Sequence, residues 1–143
     1  MKFQNLCLSV VNTAALAACG SGSTATAEER NGAVAKPETT VVVYTDNSTI
    51  KADKKLPVVI DFNATWCGPC HRFAPIFEAV AKEYKDKAIF MSVDVDQSPK
   101  TARQFEVSAI PQISILMPDG TVTSTVGFME KERFTEFLSK TIK

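Results

Sequence analysis

Val58-Val59-Ile60-Asp61-Phe62-Asn63-Ala64-Thr65-Trp66-Cys67-Gly68-Pro69-Cys70 decides the fold of this chain. An apolar run gives way, at Trp66-Cys67, to a helical pattern. Two cysteines separated by two residues share one helical turn, close enough to form a small disulfide ring and reopen it. A helix N-terminus carries unpaired N–H groups and about half a positive charge, so it favours thiolate over thiol. The thiolate is the species that attacks disulfides. The stretch therefore points to thiol–disulfide exchange.

Outward from it, the near-continuous apolar run Val58 to Asn63 predicts a strand buried on both faces, as in a parallel sheet. From Cys67 to Tyr84, Phe73, Phe77, Val80 and Tyr84 fall on one helical face, and Pro75 should kink that helix. Ala88 to Val95 predicts a second buried strand, and Ser98-Pro99 opens a short helix to about Phe105. Ile113–Met117 and Val122–Val126, joined by Pro118-Asp119-Gly120, predict an antiparallel hairpin. A last helix starts near Glu130 with Phe134, Phe137, Leu138 and Ile142 on one side. Upstream, Val41-Val42-Val43-Tyr44 predicts the first strand and Asn47 to Lys55 a short helix. The order is β-α-β-α-β-α-β-β-α. It predicts an α/β fold: a central mixed β-sheet flanked by helices on both faces.

Over residues 41–143 the chain resembles the thioredoxin family. The resemblance rests on Asp61 through Cys70, on Pro75, on Val93-Asp94-Val95-Asp96, on Ile110-Pro111 before the hairpin, and on Gly120 and Gly127. It implies the thioredoxin fold and a redox cycle of Cys67 and Cys70. In that cycle Cys67, the more exposed thiol, would attack a substrate disulfide, and Cys70, more sheltered, would resolve the mixed disulfide. It also implies that Asp61 relays a proton to or from Cys70, since burial without a partner raises a carboxyl pKa. The same Asp at a strand edge would merely reach water. Pro111 resembles a cis-proline facing the disulfide, which turns the backbone of Ile110 toward an extended substrate; an ordinary trans-proline opening a strand is the plainer alternative. Trp66, Gly68, Pro69, Ile110, Pro111 and Gly127 are the expected substrate-binding residues, with a plain packing role as the alternative for Trp66. Two positions depart from the family pattern: Ser92 stands where a lysine is usual, and Asn63 where many relatives carry an aromatic.

His71 follows the motif directly. A protonated imidazole there would favour a nearby thiolate, but such a histidine reads equally as a solvated one. A zinc site is a poor reading, because Cys67, Cys70 and His71 fall short of the usual four ligands. No metal and no organic cofactor is expected, as the cysteine pair itself carries the electrons.

The chain has 143 residues, enough for one domain and some extra sequence. Its 45% hydrophobic and 22% charged content is that of a globular protein with a substantial core. Acidic and basic residues balance at 16 each, which gives no support to nucleic-acid binding through phosphate neutralisation. Residues 1–18 read as an export signal, with Lys2 followed by an apolar stretch from Leu6 to Ala18. Leu16-Ala17-Ala18-Cys19 resembles a bacterial lipobox, cleaved before a lipid-bearing Cys19. Ordinary secretory cleavage after Ala15-Leu16-Ala17, or a short buried helix, are the alternatives. Lipoprotein processing would remove Cys7 and block Cys19, leaving Cys67 and Cys70 as the redox-capable pair.

Residues 19–40 read as a flexible tether holding the domain roughly 20–25 Å from a membrane. Gly20 is not the acidic residue that retains some lipoproteins at the inner membrane, so the outer membrane of a bacterial cell envelope is expected. The resulting expectation is a lipid-anchored, monomeric, periplasmic reductase of protein disulfides, recharged by a membrane electron donor. The alternatives are a cytochrome c maturation reductase, a disulfide-forming oxidant, and a non-catalytic binding module of the same fold.

Overall fold

A computed structural model describes residues 40–143. Its elements run β1 (Val41–Tyr44), β2 (Val58–Asn63), α1 (Gly68–Glu83), β3 (Ile89–Asp94), α2 (Pro99–Gln104), β4 (Gln112–Leu116), β5 (Val122–Val126) and α3 (Lys131–Thr141). The expected leader, Cys19 and the tether up to residue 39 lie outside the described residues.

The five strands form one sheet in the order β1-β3-β2-β4-β5. β2 and β1 both run parallel to β3, whereas β4 is antiparallel to β2 and β5 to β4. β2 is thus the central strand, with hydrogen-bonded neighbours on both sides and a packed layer on each face. That position explains its apolar sequence: Val58, Val59, Ile60 and Phe62 are all buried. Alternate side chains of a strand point to opposite faces. Val59, together with Phe90 and Ile113, packs on α1 and α3. Val58, Ile60 and Phe62 pack on the other side, against Ile50, Phe105 and Leu116.

The first of these layers is aromatic. The Phe73 and Phe134 rings meet edge-on at 5.2 Å between centroids, and Phe77 lies 5.3 Å from Phe90 and 5.7 Å from Phe134. Phe134 and Leu138 are the fully buried residues of α3, with Phe137 and Ile142 at the margin of the same core. The opposite layer is thinner, and Phe62 stacks tilted on Phe105 at 5.3 Å.

The helix expected over Asn47 to Lys55 is not formed; the segment is irregular. Its polar groups have better partners elsewhere. The side-chain amide of Gln104 donates to the Ile50 carbonyl at 2.7 Å and accepts from the Ile50 N–H at 2.8 Å, as a neighbouring strand would. Thr101 Oγ1 donates to the Ser48 carbonyl at 2.6 Å, and Asp53 Oδ1 accepts from the N–H groups of Lys55 and Leu56. Local propensity lost to contacts with α2, more than fifty residues away in sequence. The Cys67–Tyr84 helix is observed as Gly68–Glu83, with Cys67 and Tyr84 as its caps and Pro75 inside it.

Deleting the Phe77 ring should open a cavity at the centre of the aromatic layer. Phe77→Ala is expected to lose about 3–5 kcal/mol in urea unfolding. Val43→Ala, at a side chain 72% exposed on the edge strand, should stay within about 0.5 kcal/mol of wild type.

Candidate active site

Cys67 and Cys70 are joined by a disulfide with 5.3 Å between their Cα atoms. The chain leaves β2 at Asn63, turns through Ala64-Thr65-Trp66, and enters α1 with Cys67 as the N-cap in an extended conformation. Pro69 lies in the first turn, where its missing N–H costs nothing, because the first N–H groups of a helix have no intrahelical acceptor. Cys67 fills the capping role that Ser or Asp often takes: its Sγ accepts the Cys70 N–H at 3.3 Å. When the pair is reduced, a thiolate at Cys67 has this donor and the positive end of α1 beside it.

The expected contrast in exposure between the two cysteines is not seen, since Cys67 is 4% and Cys70 3% exposed. The two differ in their surroundings. Cys67 is at the helix tip; Cys70 lines a cavity of about 140 Å³ together with Asp61, Asn63, Thr65, His71 and Ser92.

Asp61 is 3% exposed in the middle of the sheet, between Ser92 of β3 and Ile113 of β4. Burial lifts its carboxyl from the ordinary 3.8 to about 7, while a hydrogen bond from Asn63 pulls it partly back. Asn63 Nδ2 donates to Asp61 Oδ2 at 3.2 Å, to the Asp61 carbonyl at 3.2 Å and to Ser92 Oγ at 2.8 Å. Asp61 Oδ1 has no hydrogen-bond partner among the described residues. Sequence reading singled out Asn63 and Ser92 only as departures. Their link became visible once β2 and β3 were in register, with Asp61 opposite Ser92.

Of the expected substrate-binding residues, Trp66, Gly68 and Pro69 adjoin the cysteines in the chain, and Ile110 packs against them. The Ile110–Pro111 bond is cis. Ile110 packs against the cluster of Ala64, Cys67 and Cys70, and the Gly127 N–H donates to the Pro111 carbonyl at 2.8 Å. Gly127 has a φ of 103°, a conformation that favours glycine. Trp66 is 69% exposed, and its indole N–H donates to Asp96 at 2.8 Å, a partner that sequence spacing did not reveal. Trp66, Val95, Val107 and Ile110 border an open apolar pocket of about 370 Å³. Gly68 and Pro69 are exposed at the helix tip, and no atom lies within 4 Å of where a Cβ on Gly68 would stand. His71 donates through Nε2 to the Thr65 carbonyl at 2.7 Å, tying the loop before the motif to α1.

The chain matches the family model described as Thioredoxin over residues 38–140. It is 39% identical over 100 residues to a thioredoxin of Staphylococcus haemolyticus, a match covering 70% of this chain and 96% of that protein. It is 43% identical over 82 residues to a thioredoxin of Staphylococcus aureus, covering 57% of this chain and 79% of that protein.

The raised carboxyl of Asp61 makes stability depend on pH. Between about pH 4 and pH 7 the folded state keeps a proton that the unfolded state has released, so stability falls as pH rises through that window and levels off above it. Asp61→Asn removes this dependence. The variant should exceed wild type by roughly 2–4 kcal/mol in denaturant unfolding of the oxidised protein at pH 8, with little gain at pH 4. An equal difference at both pH values would contradict a carboxyl that holds its proton to near neutrality.

Proposed function

Because the chain belongs to the thioredoxin family of thiol–disulfide oxidoreductases, we propose that it reduces protein disulfides outside the cytoplasm, with Cys67 as nucleophile and Cys70 as resolving thiol. The observation that carries the assignment of roles is the Cys67–Cys70 pair at the tip of α1. The Sγ of Cys67 receives a backbone N–H, whereas Cys70 shares a cavity with a carboxyl of raised pKa.

The Cys67 thiolate attacks one sulfur of a substrate disulfide. A bond forms between Cys67 and that sulfur as the substrate S–S bond breaks, and the second substrate sulfur leaves as a thiolate. Cys70 then gives its proton to the Asp61 carboxylate, and its thiolate attacks Cys67 Sγ. This closes the Cys67–Cys70 disulfide and releases the remaining substrate sulfur as a second thiolate. Two electrons pass from the protein dithiol to the substrate. Solvent or Asp61 supplies the protons that the leaving thiolates take up. The apolar surface of Trp66, Ile110 and Gly127, with Gly68, Pro69 and Pro111, receives the substrate segment around its disulfide.

The extracytoplasmic placement is supported by residues 1–18 and by Leu16-Ala17-Ala18-Cys19, with Cys19 as lipid carrier and the outer membrane as destination. Outside the cytosol no glutathione pool keeps a dithiol reduced, so a membrane electron donor must recharge the monomeric enzyme after each turnover.

Reduction of insulin disulfides should be lost in Cys67→Ser, and Cys70→Ser should accumulate a mixed disulfide with the substrate. Equal activity of wild type and Cys67→Ser would refute the assignment. The potential of the pair separates directions: a value near about −270 mV, the reference for reducing members, is expected, and one near about −120 mV would mark an oxidant. Radiolabelled palmitate should be incorporated in bacterial cells by wild type and not by Cys19→Ala; equal labelling of the two proteins would remove the anchor.

A further inference from the structure

Asp61, Asn63 and Ser92 form a small polar group where β2 meets the active site. Asp61 and Asn63 are two apart on one strand and so share a face, and Ser92 is the register partner of Asp61 on β3. Apolar packing surrounds them on the sheet, with Val59, Phe90 and Ile113 in the neighbouring core.

We propose that Asn63 is a positioning residue for proton transfer at this site: its side-chain amide, itself held by Ser92 Oγ, fixes one oxygen of Asp61 and so holds the carboxyl in place beside the cavity that Asp61 and Cys70 both line. The distances assign the parts. The shortest contact of the amide is to Ser92 at 2.8 Å, which anchors it to a second strand. Its two contacts to Asp61, at 3.2 Å to the carbonyl and 3.2 Å to Oδ2, tie the carboxyl to its own backbone. Oδ1 has no hydrogen-bond partner among the described residues, and the cavity of about 140 Å³ that Asp61 and Cys70 both line carries the polar side chains of Asn63, Thr65, His71 and Ser92 and has room for water. The proton that Cys70 loses when it attacks the mixed disulfide then reaches Asp61 by way of that space.

The amide has a second effect. A donor to the carboxylate favours its charged form, which opposes the effect of burial and keeps the base available near neutral pH. The other titratable groups facing Asp61 are Cys70 and His71 on α1, with Cys67 beyond Cys70. β3 contributes Ser92 and β4 contributes Ile113 as register neighbours, and neither ionises. The Asn63 amide is therefore the one side-chain donor to the carboxylate among the described residues.

This inference rests on the proposed reductase cycle, and its test separates the two. A mixed disulfide of Cys67 with nitrothiobenzoate is prepared, and release of the coloured thiolate by Cys70 is followed across pH in a single turnover. Failure of wild type to release it overturns both the cycle and this proposal. With release observed, the limb of the profile that Asp61→Asn removes is the readout. Asn63→Ala should move that limb upward by about one pH unit, slowing release about fivefold at pH 7 and leaving it within about twofold at pH 9.

Ser92→Ala should move the limb the same way by less, and Ser92→Thr, which keeps a hydroxyl, should restore the wild-type position. If Asn63→Ala fails to fold, the Ser92 pair decides alone. A limb unmoved in the alanine variants, or a loss of rate uniform across pH, would reduce Asn63 and Ser92 to packing residues and overturn the proposal.

Discussion

Burial of β2 on both faces and both edges is the constraint from which the rest of the molecule follows. A strand with hydrogen-bonded neighbours on each side and a packed layer on each face tolerates almost only apolar side chains, and five of its six residues are fully enclosed. Its end is therefore anchored by the sheet on both sides. The redox pair starts four residues beyond it, at the N-terminus of a helix whose Phe73 and Phe77 are locked into the aromatic layer over the same sheet. The sulfurs are placed by a rigid strand and a rigid helix, with a three-residue loop between them.

One ionisable residue lies inside that strand. Among the described residues Asp61 has no cation beside it, and its carboxyl is raised to about 7 because burial disfavours charge. An arginine or lysine partner would have held the group ionised and fixed. An amide leaves it in the pH range where a thiol also exchanges protons. The stability lost by burying this carboxyl above neutral pH is thus the counterpart of its use as a base. A group at the centre of a well-packed sheet carries that loss because the surrounding apolar layers supply far more.

Much of this was legible in the chain itself, and the reasons differ by element. β2, α1, the β4–β5 hairpin and α3 carry strong periodicity and clear turn residues, so their boundaries shifted by a residue or so at most. Asn47 to Lys55 misled because its weak helical bias was the visible signal, while the decisive contact is the Gln104 amide from α2. The ranking of Cys67 as exposed and Cys70 as sheltered refers to the free thiols, whereas in the closed disulfide the two are 4% and 3% exposed.

The sequence by itself determined the redox chemistry, the central strand and the identity of Asp61 as the unusual residue, because these depend on short spacings and on side-chain type along one segment. It also marked Asn63 and Ser92 as unusual without showing that they belong together. Only the tertiary structure decided that: pairing of β2 with β3 brings side chains 29 positions apart to 2.8 Å. The cavity behind Cys70, the cis bond before Pro111 and the link between Trp66 and Asp96 were likewise decided there. The physical reason is the same in each case. A periodic pattern reports which face of an element is buried, whereas a hydrogen bond or a cavity depends on which two faces meet and in what register.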